Sequence, residues 1–206
     1  MLPAKLTLSE EERLLMMNTR FILTKNAVLK KVELLLGTLS ETLRNKVSSL
    51  GLQESPLFQL SPKIAKGAQY LELPWVMLDY PRMFTKNDVC AIRCFFWWGN
   101  YWTVTLHLAG TYLGQYRNAI QEFVRERTGA EDWYLSVGDD QWQHVLEPGS
   151  FTALRSVDEL YWQKERRFLK LVRKYALEQW DDLIPLLEND IALLLCVLKT
   201  HHAPSL

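Results

Sequence analysis

Residues 89–109, VCAIRCFFWWGNYWTVTLHLA, hold two apolar, β-branched and aromatic runs that meet at Gly99-Asn100. Runs of this kind joined at a turn pair read as a β-hairpin. Even positions of the first run are Cys90, Ile92, Cys94, Phe96 and Trp98, and those of the second are Trp102, Val104, Leu106 and Leu108. All are apolar or thiol. The odd positions, Arg93, Phe95, Trp97, Tyr101, Thr103, Thr105 and His107, mix polar groups with aromatics.

A two-residue loop would set even residues of one strand beside odd residues of the other, because side chains alternate faces along a strand. An odd-length loop keeps the two classes apart. The pattern therefore predicts a three-residue connection, Trp98-Gly99-Asn100 or Gly99-Asn100-Tyr101, with Asn or Gly at a positive φ. In that register Phe96, Trp98 and Trp102 are core, and Phe95, Trp97 and Tyr101 lie on the second face, where Arg93 is opposite or diagonal to His107.

The second face has two readings. An Arg and a His among aromatics and threonines form a half-polar surface suited to a small anionic ligand. Its candidate contacts are Arg93, His107, Trp97, Tyr101 and Thr105, with Arg82 as a further cation. Alternatively, Arg93 pairs with Asp79 on the neighbouring strand and a helix covers the face.

The rest of the chain frames this hairpin. Ser9 and Glu12 have the spacing of a capping box, so a helix starts there. After a break near Thr24-Lys25-Asn26, apolar residues recur at Val28, Val32, Leu35, Leu39, Leu43 and Val47, the stripe of a long amphipathic helix ending at Gly51. PWVMLDYP, residues 74–81, is a short strand. Tyr112 to Arg127 carries Leu113, Tyr116, Ile120 and Phe123 on one helical face, with Gly129 as its stop. Residues 132–137 read as another strand and Trp142 to Leu146 as a further short one. Ser156 to Glu159 is a second capping box, opening a helix to about Gln179, and Asp181-Asp182 caps a last helix with Pro185 in its first turn.

These elements predict one α+β domain over residues 1–206: a helical arm at 8–50, a sheet with a middle helix at 73–146, and C-terminal helices at 156–199. The sheet is an antiparallel meander of three to five strands. The long arm folds onto its own sheet or a neighbour's, which leaves a homo-oligomer open.

Charge and motif narrow the function classes. Lys plus Arg and Asp plus Glu are each 24, so no global field draws in nucleic acid or an anionic membrane. A weaker local route is a basic stripe of Arg166, Lys170, Arg173 and Lys174 on the helix after Ser156. The first residues lack the pattern of a secretory signal, no apolar run is long enough to span a bilayer, and three cysteines, Cys90, Cys94 and Cys196, suit reduced thiols. A cytoplasmic location is the expectation. Neither a glycine-rich phosphate loop nor a nucleophile elbow nor H-E-x-x-H is present, and nothing calls for a cofactor.

Three site chemistries remain to be placed. Cys90 or Cys94 with His107 would make a thiol and imidazole dyad, but strand alternation sends these side chains to opposite faces. Asp139, Asp140, His144 and Glu147 offer metal-ligand types around what reads simply as an Asp-stabilised turn. His201-His202 reads as tail. An enzyme of another type would use His107 as acid or base, with Arg93 and Arg82 holding an anionic substrate.

PWVMLDYPRMF and AIRCFFWWGNYWTVTLHL, within residues 73–109, resemble segments of uncharacterised bacterial proteins of unknown function. The resemblance implies a bacterial origin and transfers no activity. The leading expectation is a binding or interaction domain working through its aromatic, Arg and His face.

Overall fold

A computed structural model describes residues 4–127 and 132–199. The chain is α+β, with seven strands in one antiparallel sheet. The helices are α1 (Glu10–Met17), α2 (Thr19–Ser49), α3 (Thr111–Glu126), α4 (Glu159–Gln163) and α5 (Leu183–Lys199). The strands are β1 (Lys63–Tyr70), β2 (Leu73–Phe84), β3 (Val89–Trp97), β4 (Tyr101–Ala109), β5 (Trp133–Ser136), β6 (Phe151–Ala153) and β7 (Phe168–Tyr175), in the spatial order β1-β2-β3-β4-β7-β5-β6.

The hairpin has the register that its parity demands. Trp97 pairs with Tyr101 across a Trp98-Gly99-Asn100 connection, and Gly99 takes φ 73°. Cys90, Ile92, Cys94, Phe96, Trp102, Val104, Leu106 and Leu108 consequently share one face and pack under α2, α3 and α5 in the main core. Their alternation with the odd set leaves one apolar layer for the helices, the arrangement a half-buried sheet requires.

Helix α2 runs without interruption from Thr19 to Ser49 and buries Val32, Leu35, Leu36, Leu39, Leu43 and Val47. The break lies at Asn18, not near Thr24-Lys25-Asn26, because the Asn18 side chain accepts from the Phe21 amide and caps α2. The first capping box is formed: Ser9 Oγ accepts from the Glu12 amide, and the Glu12 carboxylate accepts from the Ser9 amide at 2.6 Å. Gly51 follows the end of α2 at φ 71°. Gly129, read as the stop of α3, lies outside the described residues.

Three further readings of the sequence are corrected. The sheet has seven strands, not three to five. Residues 156–179 do not make one helix, since α4 is a single turn capped by Asp158 and the basic run that follows is strand β7. Trp142 to Leu146 is irregular chain, not a strand. The loss of the helix has a direct cause in pairing: β7 hydrogen bonds β4 along its length and β5 on its other side, which satisfies backbone groups that a helix would have satisfied internally. Tyr175 donates to Asp190 at 2.6 Å and so ties the end of β7 to α5.

The basic stripe dissolves with that helix. Alternation along β7 turns Arg173 toward Asp190 on α5, 3.5 Å away, while Lys170 and Lys174 point to the opposite face, and Arg166 lies over the Tyr161 ring outside the strand. No helix among the described residues is long and apolar enough to cross a membrane.

Candidate functional site

The second face of the sheet is assembled from odd residues of β3 and β4, even residues of β7, and Trp75, Met77 and Asp79 of β2. No helix among the described residues lies on it. The segment between β5 and β6, residues 137–150, crosses this face as an irregular strap.

Two tyrosines fasten the strap. Tyr70 accepts from the His144 amide at 2.9 Å and donates to Gln143 Oε1 at 3.2 Å. Tyr101 accepts from the Leu146 amide at 3.0 Å and donates to the His144 carbonyl at 3.3 Å. Val145 and Leu146 pack against Phe95, Trp97 and Tyr101. Unpaired strap amides would be costly over an apolar sheet, and the phenols satisfy two of them.

Beneath the strap lies a cluster rich in nitrogen. Arg93 forms a two-pronged ion pair with Asp79, at 2.7 Å from Nε and 2.9 Å from Nη2. Its remaining Nη1 lies 3.1 Å from His144 Nε2. An arginine only donates, so His144 accepts and is a neutral imidazole, stacked on Phe95 at 4.9 Å. Lys170, only 1% exposed, donates from its ammonium to the Gln143 carbonyl at 2.5 Å and lies 5.6 Å from the Phe151 ring. Its backbone amide is fixed by Ser136 Oγ at 2.9 Å. His107 stands directly across from Lys170 in the sheet, under the Trp142 ring at 5.5 Å, and its buried Nε2 has no hydrogen-bond partner among the described residues.

Burial and mutual repulsion govern the protonation of this cluster. Burial, reinforced by Arg93, lowers Lys170 to about 7, against which Asp140 acts weakly. Burial, with Lys170 and Arg93 adding to it, lowers His107 to about 3 and His144 to about 2. Both imidazoles are therefore neutral near pH 7, and Lys170 is close to half protonated.

Most of the residues singled out from the sequence meet here. Arg93, Thr105, His107, Trp97 and Tyr101 share the face, with Arg93 directly across from Thr105 and diagonal to His107. The Arg93–Asp79 pair is formed, and the cover is the strap, where a helix was the sequence expectation. Trp97 and His107 are 5% and 4% exposed, so the face is closed as it stands. Arg82 stays apart: a bulge between Asp79 and Arg82 shifts its register, and its Nε donates to the Ser61 carbonyl at 2.7 Å.

Cys90 and Cys94 lie in the helix-side core, across the sheet from His107, and burial pushes the Cys90 thiol up to about 12 and raises Cys94 as well. The two thiols and the imidazole are not brought together. Asp139, Asp140, His144 and Glu147 do not converge either, because Asp140 caps the Trp142 amide, Glu147 accepts from Gln143, and His144 turns beneath the strap. Among the described residues no three His, Cys, Asp or Glu side chains could share a metal ion. His201 and His202 lie outside those residues.

Lys170 is the member that sequence reasoning misplaced. Read on a helix, it belonged to a solvated stripe. Its alternation with Leu169 and Leu171 is the strand signal that could have found it. No family model, curated protein or solved structure matches this chain.

Proposed function

We propose that the chain is a binding domain for a small anionic ligand, taken up between Arg93 and Lys170 when the strap lifts, with Phe95, Trp97 and Tyr101 as its apolar wall. The observation that carries this reading is the buried ammonium of Lys170, whose hydrogen-bond acceptor is a carbonyl of the strap. Lysines are almost never fully buried without a counter-charge, and a strongly perturbed cation among aromatics is a functional-site candidate. Asp79 is engaged by Arg93 through both oxygens and the two imidazoles are neutral, so Lys170 is the cation that has a carbonyl where a carboxylate would serve. A carboxylate or phosphate replacing the Gln143 carbonyl would meet it with a charge-assisted bond.

Calorimetry and thermal unfolding with inorganic phosphate, sulfate and citrate at pH 8 test this. Lys170 is mostly neutral at that pH, so binding takes up a proton and its heat changes with the ionisation enthalpy of the buffer. The expected result is a raised Tm with at least one of these anions and a proton uptake that Lys170→Met abolishes. Absence of any Tm shift with all three defeats the reading and leaves the cluster a structural core.

A further inference from the structure

Every residue from Lys5 to Thr24 is exposed, and α1 buries nothing. An eight-residue helix is marginal in water unless an apolar face is packed. Yet this arm is apolar: nine large side chains between Leu6 and Leu23, among them Leu14, Met16, Met17 and Phe21, each show at least 41% of their surface. Exposed apolar patches of this extent mark interaction surfaces.

Three acids and three lysines stand at opposite ends of the arm, with Lys5, Arg13 and Arg20 beside or between them. Glu10, Glu11 and Glu12 open α1, while Lys25, Lys30 and Lys31 follow the apolar stretch on α2. Two such arms laid antiparallel set the acidic end of each against the basic segment of the other. The arrangement is isologous, so it closes on itself as a twofold dimer.

A receptacle exists at the right place. Between α2 and the β1–β2 edge lies an open groove of about 700 Å³, with Leu29, Pro74 and Val76 for apolar contact, Lys25 and Lys30 among its lining, and Glu33 held by Lys66 at 2.9 Å. A standard interface buries about 800 Å² per partner, and nine large side chains at such exposure supply an area of that order.

We propose that the occupant is a second copy of this chain: α1 of each protomer lies in the other's groove, between α2 and the β1–β2 edge, acidic turn against lysines, apolar stretch against apolar stretch. This dimer stands on residues separate from the strap cluster and on none of the argument for an anion.

The test is sedimentation velocity of the full chain and of two charge-reversed triple variants, alone and mixed. One carries Glu10→Lys, Glu11→Lys and Glu12→Lys together, and the other carries Lys25→Glu, Lys30→Glu and Lys31→Glu together. All the altered residues are on the solvent-exposed or half-exposed arm, and circular dichroism checks that each variant keeps the fold. The native chain is expected to be a dimer, each variant to dissociate at least tenfold more readily, and the equimolar mixture to recover the dimer, since reversal in opposite senses restores complementarity. A native chain monomeric at about 100 µM, a dimer indifferent to the reversals, or a mixture that stays monomeric overturns the proposal.

Discussion

Asp79 is the carboxylate on which the strap cluster balances. Removing one partner of a buried ion pair strands the other charge, at a cost of about 3–5 kcal/mol. Asp79→Ala leaves the Arg93 guanidinium, 12% exposed, beside Lys170 and two neutral imidazoles. Urea denaturation of this variant is expected to show a loss in that range, and a loss under about 1 kcal/mol would mean that water or the strap takes over the carboxylate's role. Trp97 makes a second case. Its indole donates to the Tyr70 carbonyl at 3.1 Å and packs edge-on against Tyr101, with 5% exposure. Trp97→Ala should cost about 3–5 kcal/mol, as for large core aromatics. A variant of native stability would return Trp97 to the surface. Arg93, Trp97 and Tyr101 were legible as a set because strand parity alone fixes which side chains share a face.

Parity worked where both strands were recognised as strands, and it failed at β7. Phe168, Val172 and Tyr175 recur at intervals of four and three, which a helix also satisfies, and the charged residues between them imitate a solvated helical face. What decides for the strand is pairing with β4 and β5, information that lies far off in sequence. The same cause hid β1 and β6, which are short of strong apolar alternation and are held as outer strands of the sheet. The strap was invisible for another reason: irregular chain has no period, and its place over the sheet is set by two phenols from β1 and β4. If those phenols hold it, the double variant Tyr70→Phe with Tyr101→Phe orphans the His144 and Leu146 amides, each at about 1–3 kcal/mol. Hydrogen exchange should then accelerate across residues 137–150 while β3 and β4 keep their protection. Uniform acceleration through the sheet would show instead that strap and sheet open as one unit.

For the molecule as a whole, the buried bases set how stability follows pH. A base whose folded pKa lies below its unfolded value binds fewer protons when folded, so stability rises with pH between the two values and is lost as pH falls back through them. His107 and His144, ordinarily 6.5, are held at about 3 and about 2, so acid costs stability from pH 6.5 downward. Lys170, ordinarily 10.5, is held at about 7, so stability climbs from pH 7 upward. Buried acids act in the opposite sense. The Cys90 thiol, raised from 9.0 to about 12, and the raised Tyr70, Tyr101 and Tyr161 phenols resist ionising in the fold, so they withdraw stability once pH passes 9 to 10. Together these give a maximum near pH 9, well above the neutral pI of about 6.9. Lys170→Met is the discriminating variant, because it removes the ammonium, which lies 5.6 Å from the Phe151 ring, and keeps an unbranched apolar stem. In urea titrations at pH 5, 7, 8.5 and 10, the native chain should gain up to about 2 kcal/mol between pH 7 and 8.5, at most about 1.4 kcal/mol per pH unit for one group. The Met variant should be flat over that interval yet lose stability in acid as the native chain does. An equal rise in both would take Lys170 out of the buried cluster, and an unchanged stability at pH 5 would do the same for the two histidines.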